Sequence, residues 1–119
     1  MITDSMLYKT PLYAAHIQLQ GHMVPFAGWA MPLHYGSQIK EHMAVRERVG
    51  MFDVSHMRVI DVQGSGCFNF LRFVAANDIK KLIDHQALYT CLLNAQGGII
   101  DDCIIYRMDD ATYRIIVNA

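Results

Sequence analysis

The chain has 119 residues, enough for one small domain with a core of its own. Its formal net charge of −1 and a pI near 6.6 provide no long-range attraction for nucleic acid or an anionic membrane surface. A hydrophobic fraction of 53% with 8 Met is rich for this size and predicts apolar surface that something outside the chain covers.

No apolar run reaches the roughly 18 residues of a membrane span. Residues 1–5 carry neither a basic stretch nor an apolar one, so no secretion signal is expected. Cys67, Cys91 and Cys103 are odd in number and form no Cys-x-x-Cys pair. They read as reduced thiols of a cytoplasmic protein, not as a disulfide frame or a zinc site.

In chain order, Thr10-Pro11 predicts an N-cap followed by proline in the first helical turn. Leu12, Ala15, His16 and Leu19 then recur at helical spacing, and Gly21 is expected to stop the helix. Residues 22–36 hold Pro25, Gly28, Pro32 and Gly36 among aromatics, which predicts one short strand and a rigid loop. Ser37 is placed to cap a second helix running to about Val49, with Ile39, Met43 and Arg46 on one side. Gly50 ends it, and residues 51–57 lead into a strand over 58–62 with alternating exposure.

Gly64-Ser65-Gly66 predicts a turn, with Ser65 capping a helix to Ala75 whose apolar face is Phe68, Leu71 and Val74. Asn77-Asp78 breaks that helix. Three strand patterns follow, at 87–93, 99–107 and 112–118. The first two are joined by Asn94-Ala95-Gln96-Gly97-Gly98, where glycine can take positive φ. From residue 57 the order is β-α-β-β-β, so the fold class is α+β with an antiparallel sheet flanked by helices. The strand pattern still runs at Val117-Asn118-Ala119, which together with the apolar surplus predicts a piece of a longer protein.

Within the strand after Gly97-Gly98, two carboxylates, Asp101 and Asp102, interrupt an apolar run. Successive strand side chains point to opposite faces, so the two should occupy different environments. A buried carboxylate needs a partner. A ligand amine or ring N–H is one, and a turn-closing hydrogen bond or an arginine is another. Other motifs are absent: no phosphate-binding glycine loop, no Gly-x-Ser-x-Gly, and six histidines with no metal-binding spacing. Each histidine is expected in a structural or surface role. Asp53, Ser55 and His56 lie too close in sequence to reach triad geometry.

Several segments together resemble the aminomethyltransferase family, the T-protein of the glycine cleavage system. They are residues 10–13, 23–32, 51–57, Ala76-Asn77-Asp78, Ala87-Leu88-Tyr89, residues 94–102 and Val117-Asn118. Each is weak alone, but they occur in family order from Thr10 onward, and the chain is similar to only the N-terminal third of the enzyme. The resemblance implies a residue set for tetrahydrofolate, in a cavity between three domains. In it Asp102 is the catalytic carboxylate beside the pterin, and Met57, Leu88, Tyr89, Tyr106 and Asn118 line the folate site. Ordinary core packing is the competing role for Met57, Leu88 and Tyr106, and a strand-end cap for Asn118. Asp101 is expected on the other face with a structural hydrogen bond.

The resemblance further implies transfer of the methylene carbon from the aminomethyl-lipoyl arm of the H-protein to tetrahydrofolate, with release of ammonia and no metal. The family's later acidic and arginine folate contacts fall outside this sequence. Residues 1–50 are expected to belong to a first domain completed by later sequence, and 51–119 to supply part of the folate site. The piece alone is expected to be inactive and to self-associate. The alternatives are the folate module of a demethylating dehydrogenase, a folate-binding or assembly domain without transfer chemistry, and a purely structural fragment.

Overall fold

The computed structural model describes residues 7–118, so the expectation about a leader at 1–5 falls outside the described residues. The chain forms two compact units that divide between His56 and Met57. Strands and helices together make an α+β fold.

The first unit holds a three-stranded sheet and two helices: β1 (Tyr8–Lys9), α1 (Tyr13–Gln18), β2 (Met23–Phe26), β3 (Trp29–Pro32) and α2 (Gln38–Glu47). Strand order is β1-β3-β2, with β1 parallel to β3 and β2 antiparallel to it. The single strand expected over 22–36 is in fact a hairpin. Ala27 and Gly28 both take positive φ, at 48° and 86°, the two-residue geometry whose twist suits paired strands. Proline conceals this in the sequence, yet Pro25 sits in the edge strand β2, where a missing N–H can face away from the ladder.

Helix α1 also starts differently. Its N-cap is Leu12, with no side-chain cap, because the Thr10 hydroxyl donates instead to Asp53. Gln20, not Gly21, takes the left-handed turn after the helix, with φ 57°. Gly21 is small for another reason: a Cβ there would lie 3.0 Å from the Tyr35 ring and 3.1 Å from the His16 carbonyl oxygen. Ser37 caps α2 as expected, its hydroxyl accepting from the Lys40 N–H at 3.4 Å. The helix closes at Glu47, short of Val49.

The second unit runs β4 (Met57–Gln63), α3 (Cys67–Val74), a 3₁₀ turn at Ile79–Lys81, β5 (Ala87–Leu93), β6 (Ile99–Asp109) and β7 (Thr112–Asn118). Its sheet has the order β4-β7-β6-β5, every neighbour antiparallel. Asn94 builds the β5–β6 loop: its side-chain oxygen accepts from the N–H groups of Gln96 and Gly98 at 3.0 and 2.8 Å, while Gly97 takes φ 82°. One expectation fails here, and one element was not foreseen. Gly66 replaces Ser65 as the N-cap of α3, with no side-chain cap. The 3₁₀ turn, seeded by the Asp78 carboxylate accepting from the Lys80 N–H at 3.0 Å, has too short a period to show as a pattern.

Cys67 and Leu71 of α3, Ile79 and Leu82 beyond it, and Cys103, Ile105 and Tyr113 of the sheet form the buried core. Strand parity therefore divides the sheet into a covered face and an open one. Leu71 is fully buried, and Leu71→Ala is expected to lower stability by about 2–5 kcal/mol through lost burial plus a cavity. Urea denaturation followed by circular dichroism checks this.

Strand β4 does not alternate in exposure as expected: Val59 and Ile60 are both exposed, at 60% and 46%. With Phe73 at 89% also bare, the chain at high concentration is expected to sediment as associated species. A concentration-independent monomer in sedimentation velocity would contradict that.

Candidate functional site

The open face of the second unit is arranged in three rows by its register. The first holds Met57 opposite Asn118, with Asp102 opposite Cys91 across the neighbouring strands. The middle row is Val59, Ile116, Ile104 and Tyr89, and the third is Asp61, Arg114, Tyr106 and Ala87. The face is thus an apolar floor with polar groups along both ends. Arg114 and Asp61 close one end as a two-pronged ion pair, Nε to Oδ1 at 2.8 Å and Nη2 to Oδ2 at 3.0 Å.

At the other end Asp102 is held by two donors. Tyr89 Oη donates to Oδ2 at 2.9 Å, and Asn118 Nδ2 approaches Oδ1 at 3.3 Å and the Asp102 carbonyl oxygen at 3.2 Å. The bond to this carboxylate pushes the Tyr89 hydroxyl pKa up, since losing its proton would leave two anions in contact. The carboxylate is half-buried, while Tyr89 is 59% exposed. A cation or an N–H donor resting on the apolar floor would meet this carboxylate first.

Of the residues expected to share a site, Met57, Tyr89, Asp102, Tyr106 and Asn118 lie on this open face. Leu88 does not. It pairs with Ile105 and packs against the core on the covered face, so only its backbone borders the open side. Asp101 keeps the expected face and a structural hydrogen bond but departs from expectation in one partner, the Asn118 amide. Register places it opposite Leu92 on the covered side, yet its Oδ1 accepts from the Asp102 N–H at 2.9 Å and from Asn118 Nδ2 at 2.8 Å. The strand irregularity at Leu92/Leu93, which leaves Ile100 out of the pairing between Ile99 and Asp101, lies beside this departure. Both carboxylates therefore meet one amide.

The first unit contains a second polar cluster that the sequence did not reveal. His16 places Nε2 2.8 Å from Asp53 Oδ2 and Nδ1 2.5 Å from the Tyr35 hydroxyl. Asp53 also accepts from the Thr10 hydroxyl at 2.7 Å, and from the Ser55 N–H and hydroxyl at 2.9 and 2.6 Å. Burial acts to raise the Asp53 pKa, but the bonds from Ser55, His16 and Thr10 outweigh it and hold the carboxyl well below its ordinary range. This is not a hydrolytic triad, because the serine hydroxyl donates to the carboxylate and no base faces it. The cluster ties residues 53–55 to α1, just before Met57. The relevant histidine is His16, not the nearby His56. A cavity of about 520 Å³ lies beside it, lined by Met31, Tyr35, Glu41, Val45, Phe52 and Asp53 among others.

Among the described residues, no three metal-donor side chains converge and no helix is long and apolar enough to cross a membrane. The cysteines are free thiols, Cys67 and Cys103 buried and Cys91 half-buried.

A family profile described as the GCVT N-terminal domain matches residues 12–119. An aminomethyltransferase of Francisella tularensis subsp. mediasiatica is 54% identical over 113 residues, covering 95% of this chain and 32% of that protein. One from Francisella philomiragia is 51% identical over the same length. Among solved structures, the glycine cleavage system aminomethyltransferase T from Bartonella henselae matches with a TM-score of 0.83 and 38% identity, over 95% of this chain and 32% of that one. The chain thus spans about a third of the length of these relatives (32%).

Proposed function

Because the chain belongs to the GCVT N-terminal domain family, we propose that its open sheet face is part of the tetrahydrofolate site of a glycine-cleavage aminomethyltransferase. The observation that carries this is Asp102, held by Tyr89 and Asn118 at the edge of an apolar floor. A reduced pterin is flat and rich in N–H groups, and it suits that floor and that acceptor. Met57 and Tyr106 lie on the same face, and Leu88 contributes through its backbone.

In the proposed reaction the methylene carbon leaves the aminomethyl-lipoyl arm of an H-protein. Its bonds to sulfur and to the amine nitrogen break, and two bonds to folate nitrogens form. The two folate N–H protons leave with the thiol and with ammonia, so no redox partner is required. As a folate nitrogen attacks it gains cationic character, and Asp102 opposes that charge. Residues 1–50 belong in this proposal to a domain completed by later sequence, and residues 51–119 to the folate site. Three free thiols accord with a cytoplasmic protein.

Since the relatives are longer, the 119-residue chain is expected to bind tetrahydrofolate weakly and to transfer nothing. Calorimetry with tetrahydrofolate and a methylene-transfer assay with lipoylated H-protein test this. Turnover by the chain alone would overturn the divided site. Tetrahydrofolate that leaves the resonances of Tyr89 and Asp102 unmoved at saturating concentration would overturn the folate assignment.

A further inference from the structure

The Asn118 amide is shared unequally between the two carboxylates. Its Nδ2 lies 2.8 Å from Asp101 Oδ1, against 3.3 Å from Asp102 Oδ1. The shorter bond belongs to the residue that register alone would place on the covered face. The same Asp101 oxygen accepts the Asp102 N–H at 2.9 Å, so it is fixed from two sides. With its NH₂ turned toward two carboxylates, the Asn118 amide must turn its carbonyl oxygen away from them. Asn118 is exposed at the end of β7, so that oxygen is available to an incoming N–H donor.

We propose that Asp101 is a positioning residue of the site: it holds Asn118 so that the amide oxygen and the Asp102 carboxylate form a paired acceptor for a ligand bearing adjacent N–H groups. The inference rests on the folate assignment for the ligand's identity, but not for the geometry. Without the Asp101 acceptor, the freed NH₂ moves fully onto Asp102 Oδ1. That bond occupies the oxygen a ligand needs and lets the amide oxygen swing off target. The role is that of a hydrogen-bond acceptor, so asparagine at 101 can fill it by presenting its own carbonyl oxygen, whereas alanine cannot.

A double-mutant cycle on the 119-residue chain, read by nuclear magnetic resonance, tests this. In the ligand-free chain, Asp101→Ala is expected to collapse the separation of the two Asn118 side-chain NH₂ resonances toward that of a solvated amide, and Asp101→Asn to retain it. In titrations with tetrahydrofolate, Asp101→Ala is expected to weaken binding about five- to tenfold, the worth of one hydrogen bond. Asp101→Asn should stay within about twofold of the parent, well inside that loss. Once Asn118→Ala is present, adding Asp101→Ala should change affinity no further.

Unmoved Asn118 resonances in Asp101→Ala overturn the proposal, as do losses in affinity that simply multiply. If no variant, the parent included, binds tetrahydrofolate, the folate assignment fails and the amide resonances alone decide the positioning role. Should alanine unfold the unit, Asp101→Val, which suits a strand but offers no acceptor, and Asp101→Asn supply the comparison. Equal Asn118 spectra in those two folded variants and the parent would overturn it equally.

Discussion

Asp102→Asn, introduced into a full-length aminomethyltransferase carrying this segment, is expected to lower kcat by about 10²–10³-fold and to weaken tetrahydrofolate binding by no more than about tenfold, the worth of one lost acceptor. The amide has nearly the shape of the carboxylate and keeps one acceptor oxygen for the Tyr89 hydroxyl, which donates to Oδ2 at 2.9 Å. The fold and the apolar floor of Val59, Ile104 and Ile116 are therefore retained. What disappears is the negative charge. In the proposed site it faces a neutral pterin in the ground state and a nitrogen becoming cationic in the transition state, so most of the loss should fall on the rate. Steady-state kinetics with separate kcat and KM, beside equilibrium binding, checks the division. A loss confined to KM would mean that Asp102 only holds the ligand.

Asp53→Ala is expected to destabilise the first unit by about 3–5 kcal/mol, because it removes one partner of a buried pair and strands the others. The His16 and Asp53 side chains are only 7% and 2% exposed. Loss of the carboxylate leaves the Thr10 hydroxyl, His16 Nε2 and the Ser55 donors without their acceptor.

The same group makes the unit acid-sensitive, with a definite sign. Its folded pKa is depressed below the unfolded value of about 3.9, so the unfolded state binds the proton more readily. The stabilisation is then fully present above that pH and is lost as the pH falls through and below it. Trp29, the chain's single tryptophan, lies in β3 of this unit and reports unfolding by fluorescence. In combined urea and pH titrations the parent should lose stability steeply below about pH 4. Asp53→Asn should start less stable and lose less on acidification. An unchanged acid slope in Asp53→Asn would assign the sensitivity to other groups.

Neither effect could be ranked from the sequence. Asp102 stands out in the sequence because a carboxylate interrupts an apolar strand, and the family motifs around it imply a role. Asp53 lay inside one of those motifs, but its partners Thr10 and His16 are 43 and 37 residues away in sequence. Local rules place Thr10 at a helix cap, which is the better use of a threonine only when no buried carboxylate competes for it.

The sequence by itself determined the antiparallel unit of the second half: β5 and β7 at 87–93 and 112–118, β6 from residue 99, and the Asn94–Gly98 turn between β5 and β6. Those features are local, set by alternation of apolar side chains and by which residues accept a turn's dihedral angles. It also carried the family, because the motifs run in order along the chain. Only the tertiary structure decided which side chains meet. Leu88 went to the core and Tyr89 to the open face because a register set by a five-residue loop and an irregularity at Leu92/Leu93 fixed their parity. Asp101 came to Asn118, 17 residues on, and Thr10 to Asp53, because chain closure brought together groups that no short-range preference links. Hydrogen-bond partners at such separations are chosen by the packing of the whole unit, so their identity is absent from any local pattern.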